Sequence, residues 1–200
     1  LDWAVACTVA GRDRLRALAP APGRVGLVYH GLDLERFPPP PGERPPRDGG
    51  DADDPAVILS VGRAVEKKGY DDLLDALARL PAGLAWRLRH VGGGALGGRL
   101  RARAERLGIA GRIDWLGPQP QETVLDEMRR ADLFVLASKV AADGDRDGLP
   151  NVLMEAQSQG LAVLATTVSA IPELIVDRRT GLLAPPGDPD ALSRASARDS

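Results

Sequence analysis

Short apolar runs alternate with segments of helical periodicity through most of this chain. The apolar runs are AVILSVG, WRLRHVG, RIDWLG, LFVLAS, LAVLATT and GLLAP, and segments such as YDDLLDALARL, QETVLDEMRRA and IPELIVD lie between them. Short strands separated by helices of about ten residues are typical of βαβ units. The pattern therefore predicts an α/β fold whose doubly wound parallel sheet carries helices on both faces.

The carboxyl ends of the predicted strands are where we expect the chemistry. Ligands of open parallel sheets bind outside these ends. The loops that follow Val61, Val91, Leu116 and Leu136 are therefore the candidate site loops.

Composition excludes several classes of protein. With 200 residues the chain can form one main domain with a full core, and its net charge of -2 offers no global attraction for nucleic acid. The single cysteine, Cys7, excludes an internal disulfide framework, and no Cys/His spacing indicates structural zinc. No apolar run approaches the roughly 18 residues that span a bilayer. We expect a cytoplasmic protein.

The chain has an uneven organisation. Residues 37–55 hold seven of the 17 prolines and few apolar side chains, which predicts a linker or surface loop. The segment before it reads as a strand, a short helix and another extended piece, and residues 193–200 carry no apolar pattern. Because residue 1 is Leu rather than Met, we expect a piece of something longer.

The glycine run VGGGALGG offers a first candidate motif. Gly92, Gly94 and Gly97 satisfy G-x-G-x-x-G between a predicted strand and a helix, and Asp114 follows at about the distance of a ribose-binding acid. This predicts a nicotinamide or flavin dinucleotide site. However, the motif opens the second βα unit, whereas the dinucleotide fingerprint normally lies in the first.

A pair of cations lies in the loop after the first strand of the main sheet. Arg63 and Lys68 bracket the turn GRAVEKKG, which ends at Gly69 before a predicted helix. Two cations near a helix N-terminus suit a diphosphate, because charged donors give strong hydrogen bonds to phosphate oxygens. A solvated loop with exposed lysines remains the alternative. It is not a P-loop, since G-x-x-x-x-G-K-[ST] is absent.

The stretch DGDRDGLPNVLME begins like a calcium loop. Asp143, Asp145 and Asp147 fit its first three ligand positions, but the bidentate Glu required at position 12 is replaced by Met154. Read differently, Pro150 is the first residue of a helix. Asp147 and Glu155 would then flank a helix N-terminus whose free amides invite a hydroxyl-rich ligand, such as the ribose and sugar of a nucleotide-sugar.

Seven short motifs occur together in one order. They are HGLD (30–33), SVGR with EKKG (60–69), VGGG (91–94), WLG (115–117), ADLFVLAS (131–138), DGLPNVLMEA (147–156) and IPEL with TGLLAPP (171–186). Over residues 29–186 the chain closely resembles the nucleotide-sugar-binding half of a family 4 glycosyltransferase. The variant GDRDGLPNVLMEA is similar to enzymes that build bacterial exopolysaccharide and related cell-surface glycans.

The resemblance implies a fold and an activity. The family has a GT-B fold, in which two Rossmann-like domains face a cleft, and it transfers a sugar, here expected to be a hexosyl group, from a nucleoside diphosphate with retention of configuration. By position, Arg63 and Lys68 would hold the donor diphosphate. Asp147 and Glu155 match the two acids of the E-x7-E motif, and they would contact the donor sugar and the ribose hydroxyls. Asp147 replaces the family's Glu and is one methylene shorter.

The resemblance also implies the rest of the donor site. Residues 113–117 would line the base, and no metal ion, other cofactor or protein nucleophile is expected. The family's sugar and phosphate cradle would be completed by backbone amides of Gly148, Leu149, Pro150 and Asn151.

The resemblance divides the chain into four parts. Residues 1–28 would be a remnant of the N-terminal acceptor domain, 29–55 a Pro-rich linker, 56–187 the donor-binding domain and 188–200 a truncated or altered tail. A glycan or lipid-linked acceptor would bind through the missing domain. The protein itself would be cytoplasmic or peripheral at the inner face of the membrane. We therefore expect an incomplete enzyme, inactive alone; the alternatives are an NAD(P)-binding oxidoreductase domain and a non-catalytic nucleotide-sugar-binding module.

Overall fold

The computed structural model describes residues 3–40, 42 and 45–197. In these residues the strands are β1 Ala4–Ala6, β2 Val25–Leu27, β3 Ala56–Val61, β4 Trp86–Val91, β5 Ile113–Gly117, β6 Leu133–Leu136, β7 Ala162–Thr166 and β8 Leu182–Ala184. The helices are α1 Val9–Leu18, α2 Tyr70–Leu77, α3 Gly97–Arg106, α4 Gln121–Arg130, α5 Asn151–Ser158, α6 Ile171–Leu174 and α7 Pro189–Ser196.

The main sheet is wholly parallel among the described strands. Its order is β5-β4-β3-β6-β7-β8, so the chain first builds outward from β3 to β5 and then restarts on the other side of β3 with β6. Ile58 and Leu59 of β3 pair with Leu133 and Phe134 of β6 across this reversal. The order is that of the doubly wound, dinucleotide-binding type of sheet, and it confirms the predicted α/β class.

Two hydrophobic clusters cover the two faces of the sheet. Successive strand residues point to opposite faces, so Ile58 packs in the cluster with α2, α3 and α7, and Leu59 packs in the cluster with α4, α5 and α6. Phe134 and Leu136 of β6 are fully buried on the second face, and Val135 is buried on the first. The near-continuous apolar runs of the sequence are explained by this burial on both sides.

A small unit precedes the main domain. Strands β1 and β2 form a separate two-stranded parallel sheet, with α1 between them in sequence. Glu173 of α6 accepts hydrogen bonds from the Val9 amide at the start of α1 and from the Tyr29 hydroxyl, with the shortest distances at 2.8 Å. The unit also leaves Trp3 and Leu18 about two-thirds exposed. The unit therefore presents large apolar side chains to solvent.

The proline-rich segment contains no helix or strand in its described residues, 37–40, 42 and 45–55. It is nevertheless anchored to the main domain. Phe37 is buried in the second cluster, and Arg47 pairs with Asp132 at 3.1 Å. The Gly49 carbonyl accepts a hydrogen bond from the Ala85 amide just before β4.

The ends of three elements differ from the predictions. Helix α5 begins at Asn151, so Pro150 precedes the helix rather than opening it. The helix predicted over IPELIVD stops at Leu174, because β-branched Ile175 and Val176 favour extended backbone. Helix α7 runs to Ser196 and buries Leu192 in the first cluster, so the start of the expected altered tail is packed on the main domain. Residues 198–200 lie outside the described residues.

Candidate functional site

The candidate site lies where the sheet reverses its strand order, between β3 and β6. The loop after β3 carries Arg63 and Lys68, and the loop after β6 carries Asp147. Because both loops leave the carboxyl ends of neighbouring parallel strands, they meet at the same edge of the sheet. The loops predicted from the sequence for Arg63, Lys68 and Asp147 are the loops in which the structure has them.

Glycine lets these loops approach each other. Gly69 has a φ of 61°, and a Cβ built on it would lie 1.8 Å from the carbonyl oxygen of Ala137, at the end of β6. A Cβ on Gly92 would lie 2.0 Å from the carbonyl oxygen of Gly62. No side chain fits at either position, so both glycines are required for backbone contact between adjacent site loops.

Lys68 and Asp147 form a direct ion pair. The Lys68 Nζ lies 2.7 Å from the Asp147 Oδ2, and the two side chains are only 13% and 12% exposed. The Ser138 hydroxyl donates a further hydrogen bond of 3.0 Å to the same carboxylate oxygen. A cation that the sequence assigned to the diphosphate and an acid that it assigned to the sugar are therefore held together at one point.

Other contacts tie the two loops along their length. The Lys67 Nζ lies 3.1 Å from the Asp145 Oδ1, and the Lys67 carbonyl accepts a hydrogen bond of 2.9 Å from the Lys139 amide. The Glu66 Oε1 accepts a hydrogen bond of 2.9 Å from the Ala142 amide. Residues 66–68, a 3₁₀ turn, are thus fixed against the loop after β6.

The aspartates of the calcium-like stretch do not converge as ligands. The Asp143 Oδ1 accepts a hydrogen bond from the Asp145 amide, while Asp145 and Asp147 face lysines. In the described part of the chain no group of three or more His, Cys, Asp or Glu is placed to hold a metal ion. Two of the three carboxylates of this stretch are thus paired with cations.

Arg63 is an exposed cation without an ion-pair partner among the described residues. It follows Gly62, whose amide donates a hydrogen bond of 2.9 Å to the Val91 carbonyl. The structure describes no contact between Arg63 and either Lys68 or Asp147. The two predicted phosphate ligands therefore lie in one loop, one already paired and the other open to solvent.

The start of α5 offers backbone donors beside the ion pair. The amides of Gly148, Leu149 and Asn151 donate to no acceptor among the described residues, as is usual at a helix N-terminus. Pro150 has no N–H and cannot contribute an amide, which corrects the expected cradle at that residue. The Gly148 carbonyl accepts a hydrogen bond of 3.2 Å from the Ala170 amide and thereby fixes the loop to the start of α6.

Glu155 lies in a cleft of about 530 Å³ at the N-terminal end of α5. Burial raises the pKa of Glu155, and the positive charge of Arg36 partly opposes this effect. The guanidinium of Arg36 donates a hydrogen bond of 2.5 Å to the Gln121 side chain, and the Gln121 amide donates one of 3.3 Å to the Arg36 carbonyl. Asn151 also lines this cleft.

Three residues of the site escaped the sequence reading. Ser138 stands at the end of an apolar strand run, where a lone polar residue was the available signal. Arg36 and Gln121 carry no local signal, because they meet only when the segment before the prolines crosses the start of α4.

The family of the chain follows from comparison with known proteins. Residues 43–198 match the profile of the family described as glycosyl transferases group 1. The chain belongs to the glycosyl transferases group 1 family. The expected family resemblance is thereby confirmed.

Group 1 relatives include proteins of bacterial exopolysaccharide synthesis. The chain is 34% identical over 185 residues to the putative colanic acid biosynthesis glycosyltransferase WcaL of Escherichia coli, covering 92% of this chain and 44% of WcaL. It is 39% identical over 140 residues to the amylovoran biosynthesis glycosyltransferase AmsK of Erwinia amylovora, covering 70% of this chain and 34% of AmsK. The group 1 chain thus spans less than half the length of these relatives.

Solved glycosyltransferases share the group 1 chain's fold. Anabaena HepE, in a complex with UDP and glucose, superposes with a TM-score of 0.78 at 22% identity, covering 98% of this chain and 53% of HepE. The lipopolysaccharide outer core galactosyltransferase WaaB, in its apo form, gives a TM-score of 0.77 at 26% identity, covering 98% of this chain and 52% of WaaB. The expected GT-B type of fold is confirmed.

The dinucleotide alternative finds no support in this group 1 chain. Gly92 is explained by the backbone approach described above. Asp114, the supposed ribose acid, pairs with Arg87 at 2.7 Å and with Arg89 at 3.2 Å. A carboxylate held by two guanidinium groups is poorly placed to accept ribose hydroxyls.

Within residues 3–40, 42 and 45–197, no helix has both the length and the apolar character needed to cross a membrane.

Proposed function

We propose that this chain is the donor-binding part of a retaining glycosyltransferase that takes a hexosyl group from a nucleoside-diphosphate sugar. The observation that carries the proposal is the meeting of Lys68 and Asp147 at the strand-order reversal, beside the free amides that open α5. A cation, a carboxylate and backbone donors at one point suit a ligand with both phosphate and hydroxyl groups. The UDP and glucose bound by HepE agree with this ligand class.

Phosphate binding would fall to Arg63 and Lys68. Negative charge grows on the diphosphate as it leaves the sugar, and fixed cations stabilise that charge. Arg63 is free to turn toward a ligand, whereas Lys68 is oriented by Asp147. The two side chains would provide the positive charge, so we propose that no metal ion or other cofactor is needed.

Hydroxyl binding would fall to the two carboxylates. Asp147 lies beside the cations and would contact the donor sugar, while Glu155 lies in the cleft lined by Asn151 and would bind the ribose. Gly148, Leu149 and Asn151 would add backbone donors. We propose that attack occurs on the face that the diphosphate leaves, assisted by the leaving phosphate, with Arg63 and Lys68 stabilising that group.

The biological setting is part of the proposal. WcaL and AmsK are described as glycosyltransferases of colanic acid and amylovoran biosynthesis. We infer a role in cell-surface polysaccharide or glycan synthesis, on the cytoplasmic side and at most peripheral to the membrane. The chain spans less than half the length of these two relatives, and we propose that these 200 residues alone do not transfer sugar.

Calorimetric titration with UDP, GDP and their sugars tests this function. We expect saturable binding by the chain, no comparable binding of the nicotinamide dinucleotide, and a loss of at least about tenfold in affinity in an Arg63→Ala, Lys68→Ala variant. An Arg14→Ala, Arg194→Ala variant removes the same charge on other helices and should bind normally. Equal binding by all three proteins would contradict the assignment.

Two further results would redirect the proposal. A folded chain that binds none of these nucleotides would favour an interaction module that has kept the fold and lost the site. Rapid sugar transfer by this chain to any acceptor would contradict its proposed incompleteness.

A further inference from the structure

A second cleft, of about 460 Å³, lies beside the donor loops and is lined by none of the proposed donor residues. Its charged side chains come from α3, from the start of α2 and from the two site loops, and they are Arg99, Arg103, Arg106, Lys139, Glu66 and Asp71. Leu96, Leu100 and Ala102 add apolar surface. Its volume lies in the range typical of small-molecule sites.

Three arginines of this cleft share one face of α3. Arg99, Arg103 and Arg106 are spaced by four and three residues, which makes them neighbours on the helix surface. Like charges at these spacings destabilise a helix. The mutual repulsion of these guanidinium groups therefore lowers the stability of the helix. A bound anion would offset that repulsion.

Asp75 orients Arg103, the middle arginine of this row. Arg103 donates hydrogen bonds to both carboxylate oxygens of Asp75, through its Nε and one terminal nitrogen, at 2.8 and 2.5 Å. The guanidinium has five N–H donors, so its second terminal nitrogen remains available to a ligand. Lys139, on the loop after β6, is oriented in the same way by Asp71 at 2.7 Å and Asp72 at 3.1 Å.

The outer two arginines are not neutralised. Neither Arg99 nor Arg106 has an ion-pair partner among the described residues, and Arg106 donates a hydrogen bond to the carbonyl of Ala102 on its own helix. Among the described residues, the acids that line the cleft are Glu66 and Asp71, and Asp71 already faces Lys139. Two free guanidinium groups on either side of an oriented one form a concave set of charged donors.

We propose that this cleft is a second anion site, which binds the phosphate group of a phosphorylated small molecule or of a lipid headgroup. Arg99 and Arg106 hold the phosphate oxygens from two sides, and Arg103 contributes its free nitrogen. The apolar surface of Leu96 and Leu100 contacts the carbon part of the ligand. Guanidinium donors suit phosphate because several N–H groups can face its oxygens at once.

The test uses inorganic pyrophosphate as the probe, in calorimetric titrations of the chain carrying Arg63→Ala and Lys68→Ala. In this background the donor loop is disabled, and we expect one remaining pyrophosphate site. Adding Arg99→Ala and Arg106→Ala should weaken that binding by at least about tenfold. Arg14→Ala and Arg194→Ala, added instead, should leave it unchanged.

Arg99→Lys with Arg106→Lys separates charge from geometry. These substitutions keep both charges but lose the planar donor set, so we expect an intermediate affinity. Circular dichroism and the urea midpoint of each variant report whether it has folded. Absence of residual binding in the disabled background, or binding by folded variants that ignores Arg99 and Arg106, overturns the proposal.

A vesicle assay identifies the source of the phosphate. We expect one of two results when the chain is sedimented with phosphatidylcholine vesicles with and without phosphatidic acid. Binding that needs phosphatidic acid and both arginines assigns a lipid headgroup. Pyrophosphate binding without vesicle binding assigns a soluble phosphate ester.

Discussion

The ammonium of Lys68 and the carboxylate of Asp147 lie 2.7 Å apart, although 79 residues separate them in the sequence. The pair joins the loop after β3 to the loop after β6, across the reversal of strand order. Ser138 donates to the same carboxylate from the end of β6. The site is therefore ordered by its own charges.

This pair should be measurable as a coupling free energy. In a double-mutant cycle of Lys68→Ala and Asp147→Ala, we expect the two substitutions to be non-additive by about 1 kcal/mol in urea unfolding, because both side chains are largely buried. The coupling should not be larger, because the Lys67 Nζ lies 3.8 Å from Asp147 and still neutralises part of its charge when Lys68 is removed. Strict additivity would mean that solvent screens the pair.

The alternation of apolar runs and helical periods was sufficient to predict the parallel sheet and its helices, because both faces of the sheet are buried. It was insufficient at the ends of elements. Ile175 leaves the helical conformation, and Arg178 adopts a φ of 59° in the turn that follows. Residues of the turn hold each other in place, as when the Thr180 hydroxyl accepts a hydrogen bond from the Val176 amide.

The candidate site was predicted to the level of its loops and no further. Placing Arg63, Lys68 and Asp147 at strand ends needs only the order of the elements. The pairing of Lys68 with Asp147, and of Arg36 with Gln121, depends on how far each loop reaches across its neighbour. That reach is fixed by contacts such as the one between Gly69 and Ala137, which no local pattern reveals.

Gly69→Ala should be among the most damaging single changes in the chain. The new Cβ would lie 1.8 Å from a backbone oxygen, and the residue has a positive φ. We expect a loss of at least about 3 kcal/mol in the free energy of unfolding, measured with urea. The matched control is Gly108→Ala, which has a φ of 71° but open space around the Cβ. Left-handed strain alone should cost about 1 kcal/mol there. Equal losses at both positions would show that the loop moves aside at Gly69.

His90 should make the protein sensitive to acid. Burial lowers the pKa of His90 to about 4, the charge of Arg101 lowers it further, and a hydrogen bond to the backbone of Gly62 opposes both. The unfolded chain would take up a proton near pH 6.5, the ordinary value, while the folded chain resists until about pH 4. Stability is therefore complete above pH 6.5 and falls between these values, by roughly 3 kcal/mol.

A His90→Phe variant should lose this dependence. Phenylalanine keeps a ring beside Tyr70, which stacks edge-on with His90 at 4.5 Å between centroids. Urea unfolding of both proteins between about pH 4.5 and about pH 7.5 measures the two slopes. If the slopes of the two proteins coincide, His90 is not the source of the acid sensitivity.

At neutral pH, Glu155 should lower the stability of the folded chain and strengthen its binding of a nucleotide. Burial raises its pKa in the folded protein, so the folded chain holds a proton more tightly than the unfolded chain does. The sign is opposite to that of His90: stability is highest below pH 4.5, the ordinary value, and declines as rising pH ionises the buried carboxyl. Glu155→Gln removes this cost. At neutral pH we expect the variant to be more stable by on the order of 0.5 kcal/mol. The gain should vanish below the ordinary pKa, where both side chains are neutral.

The same substitution should weaken the binding of a nucleotide, because a neutral amide accepts ribose hydroxyls less strongly than a carboxylate does. UDP titrations at neutral pH, run beside the urea curves, measure both effects on one pair of proteins. A Gln157→Glu variant, two residues along α5, adds a carboxylate outside the cleft and should leave UDP affinity unchanged. A Glu155→Gln protein that binds UDP as the parent does would leave Glu155 as a buried carboxyl held by Arg36, with the ribose bound elsewhere.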